Sequence, residues 1–184
     1  MATKSTTKAE SVEKIYEPTE EIIQQDSYIR VMSLIPFPLN LSTKEGGQGT
    51  VKRFTRFGEI KNILLRDLMD IIDNHQNFLE NGYFYILSKT FIRQNGLDEI
   101  YSKILTKDKI EQILAMNSDE AVEIFQAASK GQQDMIIQML IIKLRDNPES
   151  VNLNVIDKIS RLSKVNIVEI VEDAKAQIPA SEEK

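Results

Sequence analysis

Few residues of this chain could do chemistry. His75 is the sole histidine, so a Ser-His-Asp or Cys-His arrangement would have to use it, and a metal site built from several histidines is excluded. It falls on the apolar face of a helical stretch and reads as a core or boundary histidine with a hydrogen-bond partner. As a general base it has no nucleophile or orienting partner recognisable in the sequence. Asp67, Asp70 and Asp73 recur three residues apart on the same stretch. That spacing could present carboxylates to a hard cation such as Mg²⁺, but acidic residues are also what the positive end of a helix dipole prefers in its first turns. The alternation of Asp or Asn with Gly and a closing Glu that marks a calcium loop is not found. Cysteine is absent, which removes disulfides, thiol chemistry, thiolate-ligated zinc and cysteine-held iron–sulfur clusters. The chain therefore reads as a non-enzyme with no catalytic residue, no metal site and no cofactor.

A second group of residues could bind rather than react. Lys52, Arg53, Arg56, Lys61 and Arg66 are interleaved with Phe54 and Phe57. On a strand, Lys52, Phe54 and Arg56 share one face, while Val51, Arg53 and Phe57 share the other. A single-stranded nucleic-acid binder could stack bases on such an aromatic and neutralise phosphates beside it. The competing reading is a solvated edge strand guarded by charge, with its phenylalanines in the core. Lys52, Arg53, Arg56 and Lys61 are thus the candidate nucleic-acid or anion contacts. The net charge of −5 and pI near 5.1 argue against a surface wholly built for phosphate backbones. The glycine-rich Lys44–Gly49 loop lacks a following Gly-Lys-Ser/Thr and reads as a plain hairpin loop. The run IDKISRLSKVNIVEIVEDAK superficially resembles a helix-turn-helix. Glu169, Glu172 and Asp173 on its second helix would repel phosphate, however, so it reads as a packed hairpin or an acidic docking helix.

The elements that must position these residues centre on Val51 to Leu87. Strand-like TVKRFTRF and EIKNILL meet at Phe57-Gly58-Glu59 and predict a hairpin. Asp67 stands at an N-cap position ahead of Leu68, Ile71, Ile72, His75 and Leu79 at helical spacing. Gly82 then stops the helix, and Tyr83 to Leu87 reads as a buried strand, for an order of β-β-α-β. Upstream, Tyr28 to Ile35 predicts a strand ended by Pro36-Phe37-Pro38. Downstream, Ser88 caps a single turn closed by Asn95-Gly96. From Leu97 the periodicity is helical throughout, with Ser118 as a cap and Asn117 and Gly131 as punctuation. Gln132 to Arg145 is apolar nearly all round, which marks a helix surrounded by others or one lying at an interface. Met135, Met139 and Ile142 are its candidate protein-interface residues. Leu153–Ser163 and Ile167–Gln177 predict a final helix pair.

The expected fold class is α+β: a disordered tail over 1–26, a small antiparallel β subdomain with one packed helix over 27–96, a bundle of five or six short helices over 97–178, and a polar end over 179–184. The composition, 41% hydrophobic and 28% charged, is that of a chain able to bury a core. No apolar run approaches the roughly 18 residues of a membrane span, and the N-terminus has no apolar signal region, so the expectation is a cytoplasmic protein without a membrane partner. Residues 50 to 175, with the run RFTRFGEIKNILLRDLMDIIDNHQNFLENGYFYIL at their start, resemble uncharacterised accessory or structural proteins of large tailed bacteriophages. The resemblance implies a non-enzymatic part working beside other phage proteins, in the host cytoplasm or the virion. The function expected is a protein-interaction or assembly module with a protein partner or further copies of itself; the alternative is a nucleic-acid-binding regulator using the basic hairpin.

Overall fold

The computed structural model describes residues 26–115 and 119–176. The expected tail and polar end, with Asn117 and Ser118, lie outside the described residues, apart from Asp26. The fold is α+β. Strands β1 (Tyr28–Ser33), β4 (Ile60–Leu64) and β5 (Phe84–Ile86) form an antiparallel sheet in the order β4-β1-β5, with Val31 facing both Lys61 and Ile86. Strands β2 (Leu39–Ser42) and β3 (Val51–Phe54) make a separate antiparallel ribbon in which Leu41 faces Lys52.

This pairing corrects the expected β3–β4 hairpin. The turn is there, with Gly58 at a φ of 75°, but its hydrogen bonds lead elsewhere. Thr55 donates both its backbone N–H and its hydroxyl to Glu59 Oε2, and Gly58 N–H donates to the Ser33 carbonyl of β1. These bonds end the ladder locally, leaving β4 to pair with β1 and β3 with β2 through the predicted Lys44–Gly49 loop. The period-2 pattern is real in both strands, but it does not name the partner.

The central helix also differs from expectation. It begins at Leu65 with Leu64 as N-cap and no side-chain cap, so Asp67 lies inside the first turn. It breaks at His75 into α1 (Leu65–Asn74) and α2 (Gln76–Glu80). Gly82, at a φ of 70°, donates to the Leu79 carbonyl and ends α2 as predicted.

The helices α3 (Lys89–Gln94), α4 (Asp98–Lys103), α5 (Lys107–Ala115), α6 (Asp119–Ala127), α7 (Lys130–Asp146), α8 (Leu153–Ser163) and α9 (Ile167–Ala176) follow. Ser88 caps α3 by accepting from Phe91 N–H. Gly131 does not separate two helices, because α7 starts at Lys130 under a Ser129 cap and runs through it. A Cβ at Gly131 would lie within 2.6 Å of Asn81 Cγ, so glycine is required by the close approach of α7 to the end of α2.

Two apolar clusters form the core. One gathers the inward sides of β1 and β4 (Ile29, Val31, Ile63), the ribbon (Leu41, Phe54) and α1 (Leu68, Ile71). The other gathers α5 to α9 around α7. They share Ile35 and Ile100; within the first, Tyr101 of α4 ties β5 by accepting the Ile86 N–H on its phenolic oxygen, and it meets Tyr85, which packs on the second, edge-on at 4.8 Å. Burial pushes the Tyr101 phenol well above its ordinary range.

Candidate functional site

The structure places a serine beside His75, a partner that the sequence does not reveal. Ser42 Oγ lies 3.2 Å from His75 Nε2, which is within reach for a nucleophile and base. The hydrogen bonds assign a different role. Ser42 donates its backbone N–H to Nε2 at 3.0 Å and its hydroxyl to the Lys44 carbonyl at 2.9 Å. Nε2 is therefore occupied as an acceptor, the serine proton points away from it, and Ser42 is buried. The pair is a tie between the ribbon and the α1–α2 break, reinforced by Asn74 Nδ2 donating to the Thr43 carbonyl and by the stacked His75–Phe78 rings.

The aspartates are brought no closer than their helix brings them. Asp67 is half-buried and pairs with Arg66 at 3.6 Å, while Asp70 and Asp73 are exposed. Among the described residues no group of three or more His, Cys, Asp or Glu side chains is arranged to hold a metal ion.

The basic residues are split: Lys52 and Arg53 lie on β3, Lys61 on β4, and Arg56 in the turn between them, because β3 ends at Phe54 and does not carry Arg56 on one face with Lys52. Arg53 and Arg56 are exposed, Lys52 is half-buried, and none of the three makes an ion pair among the described residues. Lys61, on β4, pairs with Glu59 at 3.3 Å and lies 5.9 Å over the Phe54 ring. Phe54 is buried, and Phe57 is half-buried against the helical cluster, so neither ring is fully open for stacking. The Glu59 carboxyl is held at about 2, chiefly by the Thr55 N–H and hydroxyl and then by Lys61. A neighbour that sequence spacing cannot show is Lys107, whose Cε lies 2.9 Å from the place a Gly58 Cβ would take; its amine pairs with Glu111.

Around α7 the three expected interface residues separate. Met135 is 4% exposed and belongs to the helical core. This is the physical outcome of an all-round apolar helix enclosed by its own chain, and it leaves Met135 little surface beyond its place in the wall of a cavity beside Phe37 and Tyr83. Met139 and Ile142 are half-buried and line a cavity of about 490 Å³ with Pro36 and Leu114. Lys143, Asp146 and Asn147 rim it, the Lys143 amine being tied to the Leu114 carbonyl at 2.7 Å. Nearer the start of α7 lies a smaller cavity of about 260 Å³ between Phe37, Tyr83, Asp134 and Gln138. The loop holding Pro36 and Phe37 thus touches both. Phe37 is 44% exposed and is the functional candidate that periodicity misses; its signal is a phenylalanine between two prolines, an aromatic held in a bend with no ladder to join.

Compared with protein-family models, with curated proteins and with solved structures, this chain has no significant match.

Proposed function

We propose that the chain is a non-catalytic interaction and assembly module, a structural or accessory part of the kind the phage resemblance implies, and that it docks another protein chain in the groove along α7. The observation that carries this reading is the larger cavity: Pro36, Leu114, Met139 and Ile142 leave an apolar recess of about 490 Å³ on the open side of an otherwise enclosed helix. Recesses of that size and lining take apolar anchors, while a charged rim sets orientation. Light-scattering mass at low and high salt tests it, on the wild type and on Met139→Lys and Ile142→Lys. The expected result is a mass above one chain at both salts, reduced to one chain in the variants while their circular dichroism stays native. A wild-type mass that ignores both substitutions counts against the groove.

A second reading rests on Lys52, Arg53 and Arg56, which make no ion pair among the described residues. It is nucleic-acid binding through phosphate contacts, without stacking on Phe54 or Phe57. It requires a mass gain with a DNA and RNA pool at low salt, lost as salt rises and on Arg53→Glu.

A further inference from the structure

We propose that the occupant of the groove is a second copy of this chain, laid antiparallel along α7 about a two-fold axis; this rests on the assembly reading. The patch carries both halves of a self-complementary contact. Phe37 is exposed and shares a cavity with Asp134 and Gln138 in the N-terminal half of α7, and the apolar recess lined by Met139 and Ile142 flanks the C-terminal half. A two-fold axis across α7 reverses the helix, so each copy's Phe37 comes level with the other's recess. An isologous contact of this kind closes on itself and ends at two chains.

Charge selects the direction. Lys130, Asp134, Gln138 and Arg145 are exposed and follow one stripe of α7, with exposed Asp146 beside Arg145 at the rim of the recess. With the axis between Gln138 and Ile141, Asp134 of one copy faces Arg145 of the other, twice per dimer. A parallel arrangement would set Asp134 against Asp134 and Arg145 against Arg145. The present partners of these groups, Lys130 for Asp134 and Asp146 for Arg145, are exposed neighbours on the same helix. Such pairs are weak enough to share their charges with a facing chain.

The test is sedimentation of the full chain over a concentration series, with Phe37→Ala, Asp134→Arg and Arg145→Asp. The wild type is expected at two-chain mass, and Phe37→Ala raises the dissociation constant about tenfold, the effect of losing a buried aromatic anchor. Asp134→Arg and Arg145→Asp are each expected as single chains where the wild type is paired, because each sets like charges together. An equimolar mixture of the two restores two-chain mass, since every facing pair is then of opposite sign. All three sites are on the surface, and circular dichroism checks that each variant is folded. A one-chain wild type at every concentration overturns the proposal. A two-chain wild type that loses its partner on Ile142→Lys, but whose charge variants do not recombine on mixing, overturns the antiparallel second copy and leaves the groove reading standing.

Discussion

At the scale of single residues, hydrogen-bond direction decides what a side chain can be. His75 Nε2 receives the backbone N–H of Ser42, so His75→Phe leaves a buried donor without a partner and should cost about 1–3 kcal/mol in urea unfolding. Ser42→Ala removes only the hydroxyl, whose bond runs to the Lys44 carbonyl, and should cost about 1 kcal/mol. A larger loss for Ser42→Ala than for His75→Phe would mean that the hydroxyl, not the backbone N–H, holds the ribbon to the helix break. Glu59 gives the residue-scale pH dependence. Its carboxyl falls from an ordinary 4.5 to about 2 because Thr55 and Lys61 favour the charged form. A group depressed on folding contributes stability that is complete above its unfolded value and fades as pH drops through the folded one. Thermal melting should therefore weaken between about pH 5 and pH 2, and Glu59→Gln should flatten that part of the profile. An unchanged slope in the variant would show that the Thr55–Glu59 bonds do not contribute.

At the scale of elements, two neighbours on α7 show how tightly this helix is seated. Gln132 is fully buried and clamps the α4–α5 connection, accepting from Leu105 N–H and donating to the Leu105 carbonyl. Gln132→Leu leaves the N–H and carbonyl of half-buried Leu105 without this partner and should cost about 1–3 kcal/mol. Gly131→Ala would gain about 1 kcal/mol of helix propensity in an open helix. Here the added Cβ collides with Asn81, and overpacking at about 1–3 kcal/mol should win, with Asn81→Gly restoring part of the loss in chemical denaturation. These two positions mark the limit of what is legible in the sequence. Periodicity locates most strands and helices because each buries one side of itself: Ser88 as a cap, Gly82 as a stop and the six C-terminal helices α4 to α9 follow from local chemistry. It does not locate partners. The β3–β4 pairing fails because Glu59 draws in the Thr55 donors, Gly131 reads as a break because nothing in the sequence announces Asn81, and Met135 reads as surface because an apolar helix looks the same whether its own chain or another encloses it. For the same reason the sequence offers Met139 and Ile142 as interface candidates without deciding between the two enclosures, whereas Phe37 needed the fold that sets it beside Asp134 and Gln138.

At the scale of the whole molecule, the two functional readings respond oppositely to salt and to concentration. The chain is acidic, with a net charge of −5, and the candidate basic contacts are spread over β3, the following turn and β4, so phosphate binding would depend on a few local contacts and weaken steeply as salt rises. The α7 groove is apolar at its centre, and burying it is nearly indifferent to salt, while the folded state gains from association by mass action. Each tenfold rise in protein concentration is worth about 1.4 kcal/mol per pair, or about 0.7 kcal/mol per chain. For a chain of this length that should raise the midpoint of thermal unfolding by about 2 °C. Scanning calorimetry on the wild type should show the rise at both low and high salt, and Ile142→Lys should abolish it while keeping a single cooperative transition. A midpoint that stays fixed with concentration, but climbs when single-stranded DNA is added at low salt, would instead assign stabilisation by a partner to Lys52, Arg53 and Arg56 and remove it from α7.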